Sequence, residues 1–484
     1  MFRCTSLQTC GRSTRLVDRV DRVDRYRRRP RPGHAAAARS RSPIPAPVPL
    51  GVTLSVLHAR WRVSVALAYA AFVLVGMSAG VGGVLLPAQI DDYGVDKATV
   101  GLTFFTFSAG FMLAGATAGS LVDRLGTRAA LVVGGGAFVL AGLYTAIRPP
   151  FAALVAVQVV AGYGTGVLES VLNAYLTRLP SATTLLNHLH AFFGVGALLG
   201  PLLAAWMLGS LPWTAVWLVL AVLCLPLTAG FLVAYPGSGA TGTGAGRRTD
   251  PASPPSGAPD PAGPAPASEK AGKGLLAAAL RTPGVVLASV FLAVYVGLEI
   301  GVGNWGFSFM VEEYGQPGLV AGYTVSGYWL GLTLGRFLIS PVAARLGLTA
   351  TGMAFVCLFG VTASAALIWL APVTAVAAAG FALLGFFLGP LFPTAMVVVP
   401  RLTTPRLVPT AIGVMNGVSV IGGSALPWLA GAVAQGVGVW TLMPFALALA
   451  LLQLVVWRLL VTRMTADGGV PAPHPADTGS HPSR

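Results

Sequence analysis

The sequence predicts an all-α membrane protein of twelve transmembrane helices, built as two parallel six-helix repeats with both termini in the cytoplasm. Three observations predict it. Apolar runs of span length recur along the chain, the charge of the connecting loops alternates, and the first half matches the second at a fixed offset.

The apolar runs come first. Of 484 residues, 55% are hydrophobic and only 10% charged, and the mean hydropathy is +0.75. A soluble domain carries roughly 25% charged residues, so this surface suits lipid rather than water. Spans are expected near 63–86, 98–121, 129–147, 151–175, 186–208, 213–235, 283–308, 319–342, 349–370, 373–399, 408–433 and 438–461. Each is long enough to cross a hydrocarbon layer of about 30 Å as a helix. Helices are expected because lipid leaves an unpaired backbone group without a partner.

The loops then sort by charge. One side carries Arg60, Arg62, Arg124, Arg128, Arg178, Arg345, Arg401 and Arg406; the other has Lys97 and Arg148 among Asp91, Asp92, Glu312 and Glu313. Basic loops stay in the cytoplasm, which puts both termini inside. The expected location is the cell membrane, as a multi-pass protein. No signal peptide is expected, because the first apolar run is too long for a cleaved one.

The net charge of +15 does not imply a nucleic-acid partner. Residues 1–62 hold 14 Arg against 3 Asp, including VDRVDRVDRYRRRPRP. This segment has almost nothing to bury, so a disordered basic tail is expected, and a start upstream of the true one would account for it. Residues 236–282 read as a cytoplasmic Pro/Gly/Ala linker between six-helix bundles at 63–235 and 283–463, and residues 464–484 as a second disordered tail. Cys4, Cys10, Cys224 and Cys357 are scattered without metal or disulfide spacing.

The repeat is the third observation. An offset of 221 positions lays GMSAGVGGVLLPAQIDDYG (76–94) over GLEIGVGNWGFSFMVEEYG (297–315) without a gap. It also lays Arg124-Leu125-Gly126 over Arg345-Leu346-Gly347. An offset of 223 carries Gly162 and Gly166 onto Gly385 and Gly389, and Gly194 and Gly200 onto Gly417 and Gly423. Two halves with a site held near the midplane between them is a transporter design.

Candidate site residues are polar groups within the spans. A charged side chain at mid-span costs roughly 3 kcal/mol on insertion scales, so Glu169 needs a reason. Gly162, Gly166, Glu169 and Asn173 share one helix face, which turns the carboxylate into the bundle. There it is expected to bind substrate or to load and unload a proton; a protonated structural acid bonded to a neighbouring helix is the other reading. Its repeat partner is Phe392, so the fold does not demand an acid there. Glu299 follows the same logic opposite Ser78. Asn304 and Trp305 come one turn later, and a carboxylate, an amide and an indole together can bind a polyol. Trp305 as an interface anchor is the alternative. Asn416 is a candidate lining residue. Asn187, His188 and His190 open the fifth span, where a proton relay competes with simple capping. Arg336 is expected to snorkel toward the cytoplasm.

With these residues assembled, the chain over 63–463 resembles the major facilitator superfamily. GSLVDRLGTR (119–128) is similar to that family's G-x-x-x-D-R-x-G-R/K signature, with Thr127 where a second basic residue often stands. The resemblance implies a conformational switch at Gly119, Asp123, Arg124, Gly126 and Arg128, forming ion pairs that hold the outward-open state. Ala344 stands at the repeat position of Asp123, making the switch one-sided. NHLHAFFGVGALLGP (187–201) and YVGLEIGVGNW (295–305), with the stretch around Glu169, resemble the fucose-permease-like sugar transporters. That branch's carboxylate on the first span is absent at Ser78 and Ala79. GVGALLGPLLAA (194–205) resembles an antiporter signature, with Ala204 and Ala205 replacing its final glycines.

The expected function is secondary active transport of a small polar solute, such as a sugar, by a monomer working by alternating access with a proton as the coupling ion. A proton-antiporting efflux pump for amphipathic compounds is the alternative, and a non-transporting receptor on the same scaffold is the third. No enzyme signature, Walker loop or metal cluster is read, so no cofactor is expected. A cysteine placed at Asp91 should react with a membrane-impermeant maleimide added to intact cells, and one within 240–270 should not. Reversed labelling would overturn the orientation.

Overall fold

The computed structural model describes residues 50–236 and 269–467. The expected tails at 1–49 and 468–484, with Cys4 and Cys10, and the linker at 237–268 lie outside the described residues. The chain divides into two compact units, Met1–Thr53 and Leu54–Arg484. The first turn of a helix is all that is described in the former, and every span belongs to the latter.

All regular structure among the described residues is helical. The first half contains α1 (Leu50–Tyr93), the single turn α2 (Lys97–Val100), α3 (Leu102–Ala146), α4 (Phe151–Leu176), α5 (Ala182–Met207) and α6 (Thr214–Ala234). The second contains α7 (Glu269–Arg281), α8 (Pro283–Glu312), α9 (Gly318–Arg345), α10 (Ala350–Trp369), α11 (Thr374–Leu388), α12 (Leu391–Val398), α13 (Val408–Val437) and α14 (Leu442–Asp467). Among the described residues, ten helical stretches are long and apolar enough to cross a membrane. One of them, Lys97–Ala146, runs for 50 residues, more than twice the roughly 20 a bilayer requires. It is broken at Gly126, whose φ of 83° and ψ of 162° lie outside helical geometry. Only glycine adopts that conformation without strain, which explains the second glycine of the 119–128 motif. The 28-residue α9, with Arg336 and Arg345, is not among the ten.

Two boundaries differ from expectation. α1 begins at Leu50, within the stretch read as tail, because LGVTLSVLHARWR continues the helix of the first span. α7 occupies the end of the expected linker. Its Ala- and Leu-rich sequence favours helix, and it stops just before Pro283.

The glycines of the repeat do the same work twice. A Cβ on Gly110 would overlap the Val159 carbonyl oxygen, and one on Gly331, at offset 221, would overlap that of Ala382. Gly162 faces the Phe107 carbonyl as Gly385 faces that of Tyr328, and Gly166 and Gly389 repeat the contact against Phe111 and Leu332. Small residues let helix backbones approach closely where lipid supplies no hydrophobic drive. The loops match as well. Tyr93 Oη donates to the Pro149 carbonyl at 2.7 Å, and its repeat partner Tyr314 donates to that of Ala371 at 3.0 Å.

Gly110→Ala should destabilise the protein by about 1–3 kcal/mol through overpacking. Gly136, whose added Cβ would have nothing within 4 Å, should accept alanine without loss. Thermal unfolding followed by size-exclusion fluorescence checks both.

Candidate functional site

A cavity of about 280 Å³ lies between the two halves. Its polar wall holds Ser78 and Gln89 from α1, Ser108 from α3, Gln158 and Glu169 from α4, and Asn304 from α8. Its apolar wall is aromatic: Phe104, Phe107, Phe111, Phe193, Trp217 and Trp329. Glu169 reaches it because Gly162 and Gly166 pack α4 hard against α3, which turns the residues a turn further on into the bundle. Its carboxylate has no hydrogen-bond partner among the described residues. Asn304 enters from the other half, where α8 crosses α1. Gly83 lies against the Asn304 backbone, and a Cβ on Gly82 would stand 3.6 Å from Asn304 Oδ1.

The other sequence candidates fall elsewhere. Trp305 does not line the cavity. It is fully buried, its Nε1 donates to the Pro427 carbonyl at 2.8 Å, and Gly431 packs on its ring. Asn173 Nδ2 donates to the Glu169 carbonyl oxygen at 2.8 Å, which ties it to its own helix. Asn416 is exposed and outside the cavity lining. Glu299 is also outside it, because it pairs with Arg336 at 3.2 Å. The snorkelling expected of Arg336 is thereby corrected: it turns inward to an acid one helix away. His188 and His190 rest edge-on against Tyr69 and Phe72.

The sequence reading passed over Gln89, Gln158, Trp217 and Trp329. Gln158 was detectable, since it continues the face of Gly162 and Glu169. The two indoles were not, since their Nε1 donors are buried without a partner and only the packing turns them toward the cavity.

The halves are tied at one end. Lys97 Nζ reaches Glu312 Oε2 at 3.0 Å, the Lys97 backbone donates to Gln435 at 3.1 Å, and Trp428 Nε1 donates to the Ala98 carbonyl at 3.1 Å. Toward the other end the same helices part. Gly115 and Gly119 of α3, and Gly413 and Gly417 of α13, have nothing within 4 Å of an added Cβ. The expected switch residues lie at this open end. Asp123 and Arg124 are exposed and form no ion pair among the described residues. Arg128 stays within its own half, donating to the Tyr235 carbonyl at 2.8 Å and holding the end of α6.

Known proteins resemble this chain in both sequence and fold. The sequence profile described as Major Facilitator Superfamily matches residues 67–310 and 300–481. The chain is similar to Bypass of stop codon protein 6 of Saccharomyces cerevisiae, 25% identical over 394 residues that make up 76% of each chain. It is similar to the Multidrug resistance protein B homolog of Mycobacterium tuberculosis, 35% identical over 138 residues, 27% of this chain and 25% of the relative. In fold it is similar to a bacterial homolog of the human lysosomal transporter Spinster, crystallised inward-facing and unoccupied. The TM-score is 0.65 at 15% identity, covering 85% of this chain and 99% of that one.

Glu312→Gln should loosen the tied end. An exposed ion pair contributes roughly 0.2–1 kcal/mol, so labelling of a cysteine at cavity residue Ala79 from that side should rise by up to about fivefold. An unchanged rate would show that the pair does not hold the halves.

Proposed function

The chain belongs to the Major Facilitator Superfamily, and from that premise we propose that it is a secondary active transporter that moves a small polyhydroxylated solute, such as a sugar, by alternating access coupled to protons. The observation that carries the reading is the cavity between the halves, where one carboxylate and three amides face aromatic rings. Amides both donate to and accept from hydroxyls, and flat rings cover the apolar face of a sugar ring. Glu169 is the proton-carrying group in this reading, and Gln89, Gln158 and Asn304 are the solute ligands. The residues from 119 to 128 form a switch that engages when the halves close at their end. The arrangement described here, tied at Lys97–Glu312, leaves that switch apart.

The same reading takes the protein as a monomer in the cell membrane with twelve crossings and cytoplasmic termini. The break at Gly126 supports two crossings within Lys97–Ala146, and α9 supplies another by its length. The resemblance of residues 187–201 and 295–305 to the fucose-permease-like branch favours a sugar as cargo in this reading. A second reading, efflux of amphipathic compounds, is favoured by the six aromatic side chains of the cavity and by the multidrug-named relative.

Proteoliposomes with an imposed pH gradient, tested on a panel of sugars and amphipathic amines, separate the two. Sugar accumulation is the expected result, and amine extrusion without sugar uptake would overturn it. Glu169→Gln keeps size and hydrogen bonding but cannot release a proton. It should abolish gradient-driven accumulation while leaving solute binding and exchange. If Glu169 only binds hydroxyls, binding itself should weaken by roughly 1.5–3 kcal/mol, as for a hydrogen bond to a charged group.

A further inference from the structure

α7 is too short to cross a membrane. It has 13 residues, EKAGKGLLAAALR, where a crossing takes about 20. Nor does it extend the next span, because Thr282 between α7 and α8 is extended, with φ −82° and ψ 110°. α8 has 30 residues, about 45 Å of helix at the usual rise per residue. A bilayer with its headgroup layers measures about 40–45 Å. The turn at Thr282 therefore lies at headgroup depth, and α7 ends there.

α7 packs on α8 and α13, and its Ala279 is fully buried. Leu276 and Leu280, one turn apart on the adjoining strip, keep 47% and 51% of their surface uncovered by the protein. Basic groups stand beside them. Arg281 closes the helix and is exposed. Gly284, at the start of α8, lies against Leu402, with an added Cβ 3.3 Å from Leu402 Cβ. That contact sets the loop of Arg401 and Arg406 next to the end of α7. Both arginines are exposed, residues 399–407 hold no acid, and Arg281, Arg401 and Arg406 form no ion pair among the described residues. Leucines beside unopposed arginines at headgroup depth are the pattern of a helix lying in the membrane interface. Charge that only oriented the chain would need no apolar strip beside it.

We propose that α7 lies in the membrane interface and, with Arg281, Arg401 and Arg406, forms a binding site for the headgroup of an anionic phospholipid. Leu276 and Leu280 enter the acyl boundary. The guanidinium groups donate to the phosphate oxygens, which their planar fork suits. A zwitterionic headgroup brings its own cation to a cluster already rich in them, and a headgroup of net negative charge does not, so the site selects the anionic lipid. A lipid held there joins the beginnings of α8 and α13, at the end where the halves part. The site belongs to the second half alone and is independent of the cargo and of the coupling ion.

The test uses the full chain with Cys4→Ser and Cys10→Ser; Cys224 and Cys357 are buried and stay. A bimane fluorophore is placed on Leu280→Cys, and the protein is reconstituted in phosphatidylcholine vesicles. The vesicles carry an equal small fraction of acyl-nitroxide phosphatidylglycerol or acyl-nitroxide phosphatidylcholine. Both lipids should quench the fluorophore, and phosphatidylglycerol should do so about threefold more strongly. Raising the salt from about 0.05 to about 0.5 M, which screens exposed charges, should lower that ratio at least about twofold without any further variant. Arg281→Gln/Arg401→Gln/Arg406→Gln should bring the ratio below about 1.5. The same three positions changed to Lys should keep it above about twofold, because the charge remains. Equal quenching by the two lipids before any arginine is changed would overturn the proposal. So would an unchanged ratio in the glutamine variant, which would put the selectivity elsewhere. Absence of quenching by either lipid would show that α7 stands clear of the bilayer and leaves its leucines to a protein partner. Loss of the ratio on adding millimolar inorganic phosphate at constant ionic strength would make the cluster an ion site and equally overturn the lipid.

Discussion

Lipid offers no hydrogen-bond partner, and the rest of this structure depends on that lack. A polar group within a span can find a partner only inside the protein. The hydroxyls do so locally: Thr145, Thr165, Ser289 and Thr394 each donate to the carbonyl four residues back. The charges cannot, so they gather where the halves face each other. Glu299 and Arg336 find one another, and Glu169 faces a cavity. The glycines answer the same constraint from the other side. Without a hydrophobic drive between helices, close backbone contact has to supply the attraction, and α3 with α4, like α9 with α11, makes it through glycine.

How far the sequence could be read depends on what each signal measures. Apolar runs report contact with lipid, so the spans were legible and the helix ends were not. α1 continues back to Leu50 and α7 forms within a Gly- and Pro-rich stretch, because helix propensity acts where hydropathy is silent. The repeated glycines were legible because they encode close approach, and their partners stand at matching positions in both halves. In the site, a lone acid or amide in an apolar run is conspicuous, and Glu169 and Asn304 do line the cavity. Trp305 misled because an indole's direction depends on helix rotation, fixed here by Pro427 and Gly431. Arg336 misled for another reason. Its distance from the helix end suggested snorkelling, and its true partner sits on a different helix, which no local pattern reports.

The repeat shares a scaffold and not its chemistry. Glu169 on α4 corresponds to Phe392 on α12, whose ring rests 5.9 Å from that of Tyr295. Glu299 on α8 corresponds to Ser78 on α1, which lines the cavity without a charge. Each half therefore brings one acid to the interface, but on helices that are not equivalents. Two acids related by the pseudo-symmetry would bear alike on a cation between them, and neither arrangement of the halves would prefer one over the other. Displacing one acid to α8 removes that balance. Arg336 then keeps its partner, Glu299, within its own half at 3.2 Å. Breaking the repeat at these two positions thus sets an ion pair inside the second half and leaves the first half's acid facing the cavity.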